Sequence, residues 1–369
     1  MPEKQRNFSL NFATIFGSEI EPIDIEHIEV RSVSSPGLVD VTPDTEELLS
    51  VDGISLRYPG TVDLSFSGNM GMATIDFLIT TETGVAHYAL DVRFVLLRIH
   101  VDTAATGNGN GSSWDDAFTT LHEALAADYA VEDINQEIWI AGGTYYPGET
   151  GSDPDRSSTF SLVNETAIYG GFVGTESGLD QRAPSAFPTI LSGDLDEDDV
   201  DRPSENNMHH VVTASGVGRT AVLDGVTITG GLTDGQGGGV TCTGNNTEPI
   251  FRNCDIVKND SGAGGVNISN ISSGQGPSFI NCCIAGNLTS GHGSGIIIEN
   301  ASSSFINCQI SGNRIDPHDR FGGGLALRDK GNAILINCSI AGNLAEGGFS
   351  GHRCWQEQCR HRIARSRGQ

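Results

Sequence analysis

Phe251-Arg-Asn-Cys254-Asp-Ile256, Phe279-Ile-Asn-Cys282-Cys-Ile284, Phe305-Ile-Asn-Cys308-Gln-Ile310 and Leu335-Ile-Asn-Cys338-Ser-Ile340 are four versions of one line. Their cysteines are 28, 26 and 30 residues apart, and a weaker copy, Leu223-Asp-Gly-Val226-Thr-Ile228-Thr-Gly230, precedes the first. Between them runs a second line, glycine-rich and then aliphatic: Gly237-Gly-Gly239-Val240, Gly264-Gly265-Val266, Gly293-Ser-Gly295-Ile296 and Gly322-Gly-Gly324-Leu325. Each unit therefore holds two or three short β-prone runs separated by Gly, Asn and Ser. None shows the 3.6-residue apolar spacing of a helix. A unit this small cannot bury its own apolar face, and stacking on its neighbours does so, which makes a one-dimensional solenoid.

Stacked turns put equivalent side chains in columns about 4.8 Å apart. The Phe251/Phe279/Phe305/Leu335 and Ile256/Ile284/Ile310/Ile340 columns each read as a core row. They stand five positions apart, an odd number, so simple alternation cannot point both inward and a bend must fall near Asn-Cys. Asn253, Asn281, Asn307 and Asn337 then stack at a corner, where Asn tolerates left-handed geometry and forms amide ladders. The column Cys254/Cys282/Cys308/Cys338 admits a disulfide or metal reading, and also that of a row of small buried side chains, which the repeat favours.

The alternation of Gly-Gly-Gly-aliphatic with Ile-x-Gly-Asn (Gly286-Asn287, Gly312-Asn313, Gly342-Asn343) resembles the repeats of the polymorphic outer-membrane proteins. More generally it resembles the pectin-lyase-like superfamily. The likeness covers roughly residues 220–345, with Ile usually in place of Phe in the second motif and no counterpart of that family's C-terminal membrane barrel. It implies an all-β chain built on a right-handed parallel β-helix.

Residues 99–200 resemble the lead-in of such solenoids. Ser113 with Asp116 reads as a capping box. Ala117, Phe118, Leu121, Ala124 and Leu125 predict a helix near 114–127 that caps the open edge. Residues 1–98 alternate in several short runs, among them Ala73-Thr-Ile-Asp-Phe-Leu-Ile and His87-Tyr-Ala-Leu-Asp-Val-Arg-Phe, and predict a small β-sandwich that resembles cadherin-like or immunoglobulin-like modules. The solenoid is expected over 99–348 and an irregular basic tail over 349–369. In that tail His352, Cys354, Cys359 and His361 offer zinc-ligand types at a loose spacing.

The formal net charge of −26 disfavours nucleic acid and anionic membranes as partners. No apolar run is long enough for a membrane-spanning helix, and no export signal is expected in these residues. Asp194-Leu-Asp196-Glu-Asp198-Asp199-Val200-Asp201, with Glu205 beyond, echoes the 1-3-5-12 carboxylates of an EF-hand loop. That makes Asp194, Asp196, Asp198, Asp201 and Glu205 candidate Ca²⁺ ligands, with a solvated acidic loop as the alternative. Ser290-Gly-His292-Gly293 resembles the Gly-His-Gly of polygalacturonases, so His292 is a candidate catalytic residue, although the carboxylate pair that hydrolysis needs is missing around it. Arg314, Arg320 and Arg328 could serve a lyase, without identifiable partner carboxylates. Regular stacking without a break in the rungs points to a non-enzymatic extracellular or cell-surface structural or adhesion protein with carbohydrate or a cell-surface molecule as partner, and the resemblance adds the outer membrane as a location. The alternatives are a lyase or hydrolase of acidic polysaccharide, and a fragment without independent function.

Overall fold

A computed structural model describes residues 98–126, 136–148, 155–199, 203–272, 274–291, 293–315 and 322–345, the strands between residues 6 and 94, and two strands after residue 351. The chain divides into two compact units, Met1–Leu96 and Leu97–Gln369. The first is antiparallel throughout. Arg6–Asn11 and Val39–Pro43 flank Thr61–Phe66 in one sheet, and Ile54–Leu56, Ile25–Val33, Gly71–Thr81 and Gly84–Phe94 form another.

The second unit is a parallel β-solenoid. One turn runs through Ile250–Arg252, Asp255–Val257, Asp260–Ala263 and Val266–Ser269, and the next turn repeats it. These belong to four sheets, here called first to fourth in that order. They contain nine, seven, four and seven strands, all paired parallel to their neighbours. The register is set residue on residue: Phe251 lies on Phe279 and Phe279 on Phe305. Their rings stack nearly parallel with centroids 4.7 and 5.0 Å apart, and all three are fully buried. Ile228, Ile256, Ile284 and Ile310 form the parallel column and are equally sealed.

Both columns point inward because the chain bends at the asparagine between them. Asn253, Asn281, Asn307 and Asn337 have φ of 49, 54, 54 and 53°. Asn carries this left-handed geometry more readily than other side-chain-bearing residues. Each amide donates to the one a turn earlier: Asn337 to Asn307 at 2.8 Å, Asn307 to Asn281 at 3.1 Å and Asn281 to Asn253 at 3.2 Å. Asn253 Nδ2 then donates to Asp224 Oδ1 at 2.8 Å, and Arg182 Nη2 closes the row on the same oxygen at 2.7 Å. Arg182 also lies over the Tyr169 ring, so the segment that carries it is strapped across the outside of the first sheet.

A second asparagine row, the Asn of the Gly-Asn pairs and its equivalent Asn259, is buried. Asn259, Asn287 and Asn313 are fully enclosed and Asn343 nearly so. Asn287 Oδ1 accepts from both the backbone N–H and the side chain of Asn259, each at 3.1 Å, while its own Nδ2 donates to Ile256 O and to Asn313 Oδ1. Asn313 and Asn343 repeat the pattern. Polar turn atoms inside an apolar solenoid are thereby satisfied without water.

The lead-in helix is shorter than its sequence pattern predicts. Ser113 and Asp116 do bond, Asp116 N donating to Ser113 Oγ at 3.1 Å, but they close a turn. The helix is Leu121–Ala126, and its cap is Thr120 with Glu123: Glu123 N donates to Thr120 Oγ1 and Thr120 N to Glu123 Oε2, both at 3.2 Å. This Thr-x-x-Glu box competes better for the helix start because Leu121 and Ala124 follow it into the core. In the tail, His352–Cys354 and His361–Ala364 add strands to the fourth and first sheets. Among the described residues no helix is long and apolar enough to cross a membrane.

Asn287→Ala removes the acceptor of the buried Asn259 N–H and the side-chain bonds to Ile256 O and Asn313 Oδ1. An orphaned buried group costs about 1–3 kcal/mol, so urea unfolding should show a loss of roughly that size. Asn281→Gly keeps the left-handed turn on the exposed ladder and should lose about 1 kcal/mol or less.

Candidate functional site

Strand alternation sends every second residue of the fourth sheet outward. Two columns result: Thr213, Thr241, Asn267, Ile297 and Ala326, and Ser215, Thr243, Ser269, Glu299 and Arg328. The glycine line explains how the first of these is covered. Gly237 and Gly264 turn with φ of 72 and 74°, and a Cβ there would meet Thr241 Oγ1 at 2.3 Å and Ile297 Cγ2 at 3.0 Å respectively. Bare backbone therefore passes close over the outer face. Asn267, Ser269, Ile297 and Ala326 are buried although they point away from the core.

Within this covered strip two acceptors have no hydrogen-bond partner among the described residues. Asn267 Nδ2 donates to Ser269 Oγ at 3.1 Å, and its Oδ1 is sealed from solvent with no hydrogen bond. Glu299 Oε2 is likewise sealed and accepts none from the described residues, and it is ion-paired with Arg328 Nη1 at 3.8 Å. Arg328, one of the arginines that the sequence leaves without a carboxylate partner, thus faces Glu299. At the strip's outer edge Glu299 and the half-exposed Arg328 stand on consecutive turns, a carboxylate and a guanidinium suited to a ligand that brings hydroxyl groups. Sequence reasoning misses Asn267 and Glu299 because each is an ordinary polar residue in an alternating strand. The available signal is their position one and three residues after the first aliphatic residue of the glycine line.

The acidic loop is arranged differently from an EF-hand. Asp194 curls it by accepting the backbone N–H of Asp198 on Oδ1 and of Asp199 on Oδ2, each at 3.2 Å. This brings side-chain oxygens of Asp194, Asp198 and Asp199 within 4.8 Å of one another. Asp196 is instead taken by Asn206, and Glu205 is exposed. Asp201 lies outside the described residues. Asp199, which occupies the glycine position of the EF-hand pattern, also accepts Ser204 N at 2.7 Å and Asn207 Nδ2 at 2.8 Å. Asn207 is fully buried and anchors the loop to Gly230 O. Tyr146 donates to Glu197 at 2.7 Å, and burial followed by the Glu197 carboxylate raises its phenol above the ordinary range. Tyr146 belongs to a cleft of about 690 Å³ with Thr120, His122, Glu123 and Tyr145 on its walls.

His292 and Arg320 lie outside the described residues, and so do the side chains of the tail's candidate zinc ligands. Arg314 opens the last described strand of the third sheet and is exposed. Cys254, Cys282 and Cys308 are buried free thiols, in line with a row of small core side chains, and Cys338 at the end of the row is half-buried. No family model matches the chain, and no curated protein matches it in sequence.

Burial raises Asp199 above its ordinary range, assisted by Asp194 and Asp198 and opposed by the bonds from Asn207 and Ser204. Folding therefore favours the protonated carboxyl. The contribution is fully present below the ordinary carboxylate value, about 4, and is lost as pH rises through the raised value. Asp199→Asn should flatten this fall in melting temperature as pH rises above the ordinary carboxylate value, about 4. Parallel curves for the two proteins would contradict the assignment.

Proposed function

We propose that the chain is a non-enzymatic extracellular or cell-surface scaffold whose solenoid binds carbohydrate along the outer face of the fourth sheet. The observation that carries this reading is the Glu299–Arg328 pair, 3.8 Å apart on consecutive turns of the outer face with both side chains reaching solvent. Sugar hydroxyls accept from the half-exposed guanidinium and donate to the part-exposed Glu299 side chain. The unbroken register of the rungs supports a structural role, since one turn positions the next across the whole binding strip. The repeat motifs resemble those of surface β-helix proteins, which points the same way by analogy.

The acidic loop fits the same scaffold as a Ca²⁺ element. A divalent cation at Asp194, Asp198 and Asp199 offsets the repulsion among three carboxylates held close together and the burial of one of them. Asp196, Asp201 and Glu205 complete the carboxylates that the sequence pattern offers to the ion.

Affinity electrophoresis and calorimetry against a panel of neutral and acidic polysaccharides test the binding face. The wild type should be retarded by at least one of them. Glu299→Gln and Arg328→Ala should each weaken that retardation at least fivefold with an unchanged circular dichroism spectrum. Absence of retardation across the panel would sink the binding reading, and appearance of new reducing ends or unsaturated products would replace it with an enzyme. For the acidic loop, thermal unfolding should show a higher melting temperature in Ca²⁺ than in chelator, and Asp194→Asn should abolish the difference.

A further inference from the structure

The cleft at the start of the solenoid has walls that suit one kind of ligand. Among the described residues the third sheet begins only with Leu232–Gln236. The first turn therefore passes from Gly143–Tyr145 in the second sheet to Phe160–Ser161 in the fourth without a described strand between them. The cleft of about 690 Å³ lies along that passage. Tyr145 and Tyr146 line it from the second-sheet side and Ser158 from the fourth-sheet side, while Thr120, His122 and Glu123 come from the start of the capping helix. Its volume falls within the roughly 300–1,000 Å³ of small-molecule sites.

The two tyrosines present rings rather than free hydroxyl donors. Tyr145 donates its phenolic proton to Ala141 O at 3.0 Å, and Tyr146 donates to Glu197 Oε1 at 2.7 Å. What is left is aromatic surface, whose face is the negative side of the ring quadrupole. The fixed charges around the rings are negative as well. Glu123 stands on the wall and Glu197 holds Tyr146 in place. Burial raises both phenols first; the charge of Asp102 adds to the rise at Tyr145, and Glu197 and Asp194 add to it at Tyr146. These carboxylates are thus felt inside the cleft. None of the described residues lining it is a lysine or an arginine, and His122 supplies its single imidazole. The formal charge of −26 on the whole chain extends the same potential outward.

Ligand classes meet these walls differently. An anion finds carboxylates and ring faces, with no guanidinium or ammonium to pair with. A neutral polyol finds the hydroxyls of Thr103, Thr144 and Ser158 but gains nothing from the charge. An organic ammonium ion gains from every element. Aromatic faces attract it within about 6 Å. Carboxylates take its N–H groups in charge-assisted bonds, and the hydroxyl oxygens accept the rest.

We propose that this cleft is a binding site for a small aliphatic ammonium ion, recognised by the Tyr146 ring and the Glu123 carboxylate. The bond to Glu197 fixes the ring as a platform. The site lies in the first turn, away from the Glu299–Arg328 pair on later turns, and does not rest on the carbohydrate reading.

The test is isothermal calorimetry of the full chain with putrescine and spermidine, in the presence of chelator. Physiological ionic strength screens charges more than about 8 Å apart and so suppresses diffuse attraction to the acidic surface. Succinate and the diol of putrescine's length serve as anionic and neutral counterparts. One putrescine or spermidine per chain should bind, at least tenfold more tightly than the diol, and succinate should not bind. Glu123→Gln removes the charge but keeps a residue that serves in a capping box, and it should weaken binding at least fivefold. Tyr146→Ala should weaken binding at least tenfold, whereas Tyr146→Phe, which keeps the ring, should change it less than threefold. Asp329→Asn, an equal charge change at an exposed position on a late turn, should leave it unaltered. Circular dichroism shows whether Tyr146→Ala still folds; if it does not, Glu123→Gln and Tyr146→Phe carry the test. Absence of ammonium binding, equal affinity for the diol, several equivalent sites, or binding indifferent to Glu123→Gln would each overturn the proposal.

Discussion

Everything in the second unit depends on one constraint: each turn must present to the next the same side chains at the same height. Parallel pairing alone leaves the register free to slip. The buried asparagine row removes that freedom, because Asn259, Asn287, Asn313 and Asn343 bond to one another through both backbone and side chain inside the solenoid. A slip of one residue would strand several buried donors and acceptors together. The phenylalanine stack, which is tolerant of small shifts, supplies burial; the asparagine row supplies uniqueness. The exposed asparagine ladder on the neighbouring corner adds a left-handed turn at the same place in each turn, and it ends on the Arg182–Asp224 pair.

Regular stacking also accounts for where polar chemistry gathers. The inner face of each sheet is committed to the core. Groups that can meet a ligand are those on outer faces, in the loops between sheets and at exposed ends of rows. The three features singled out above fall in these places. The Glu299–Arg328 pair lies on the outer face of the fourth sheet, beside the strip that the glycine turns cover. The Asp194 loop leaves the second sheet after Ser192, and the Tyr146 cleft lies along the passage from the second to the fourth sheet in the first turn. In each, charge or polarity is held near apolar surroundings by hydrogen bonds or ion pairs.

The solenoid was legible in the sequence because its columns are written as repeated letters. The odd spacing of Phe and Ile located the bend at Asn-Cys, and the left-handed φ of Asn253, Asn281, Asn307 and Asn337 follows from it. The second asparagine row was visible as Gly-Asn pairs, but its burial was not, since Asn after Gly ordinarily marks an exposed turn. The helix start was misplaced because two capping boxes stand seven residues apart and only packing chooses between them. The acidic loop was read by spacing along the chain. Its carboxylates are instead sorted by a backbone curl around Asp194, which brings in Asp199 and leaves Asp196 to Asn206. The outer strip was invisible because an unpaired acceptor is a property of surroundings rather than of residue type.

The most direct test of the register argument is native-state hydrogen exchange at the backbone amides of Asn259, Asn287 and Asn313. Each donates to the side chain of the asparagine in the following turn rather than to a strand carbonyl. If the buried row holds the solenoid together, these turn amides exchange only through global unfolding, as slowly as the amides of the Phe279 and Ile284 strands and with the same denaturant dependence. Exchange at the rate of exposed turns, with the strands still protected, would show that the row is an ornament of the corners and that the sheets set their register without it.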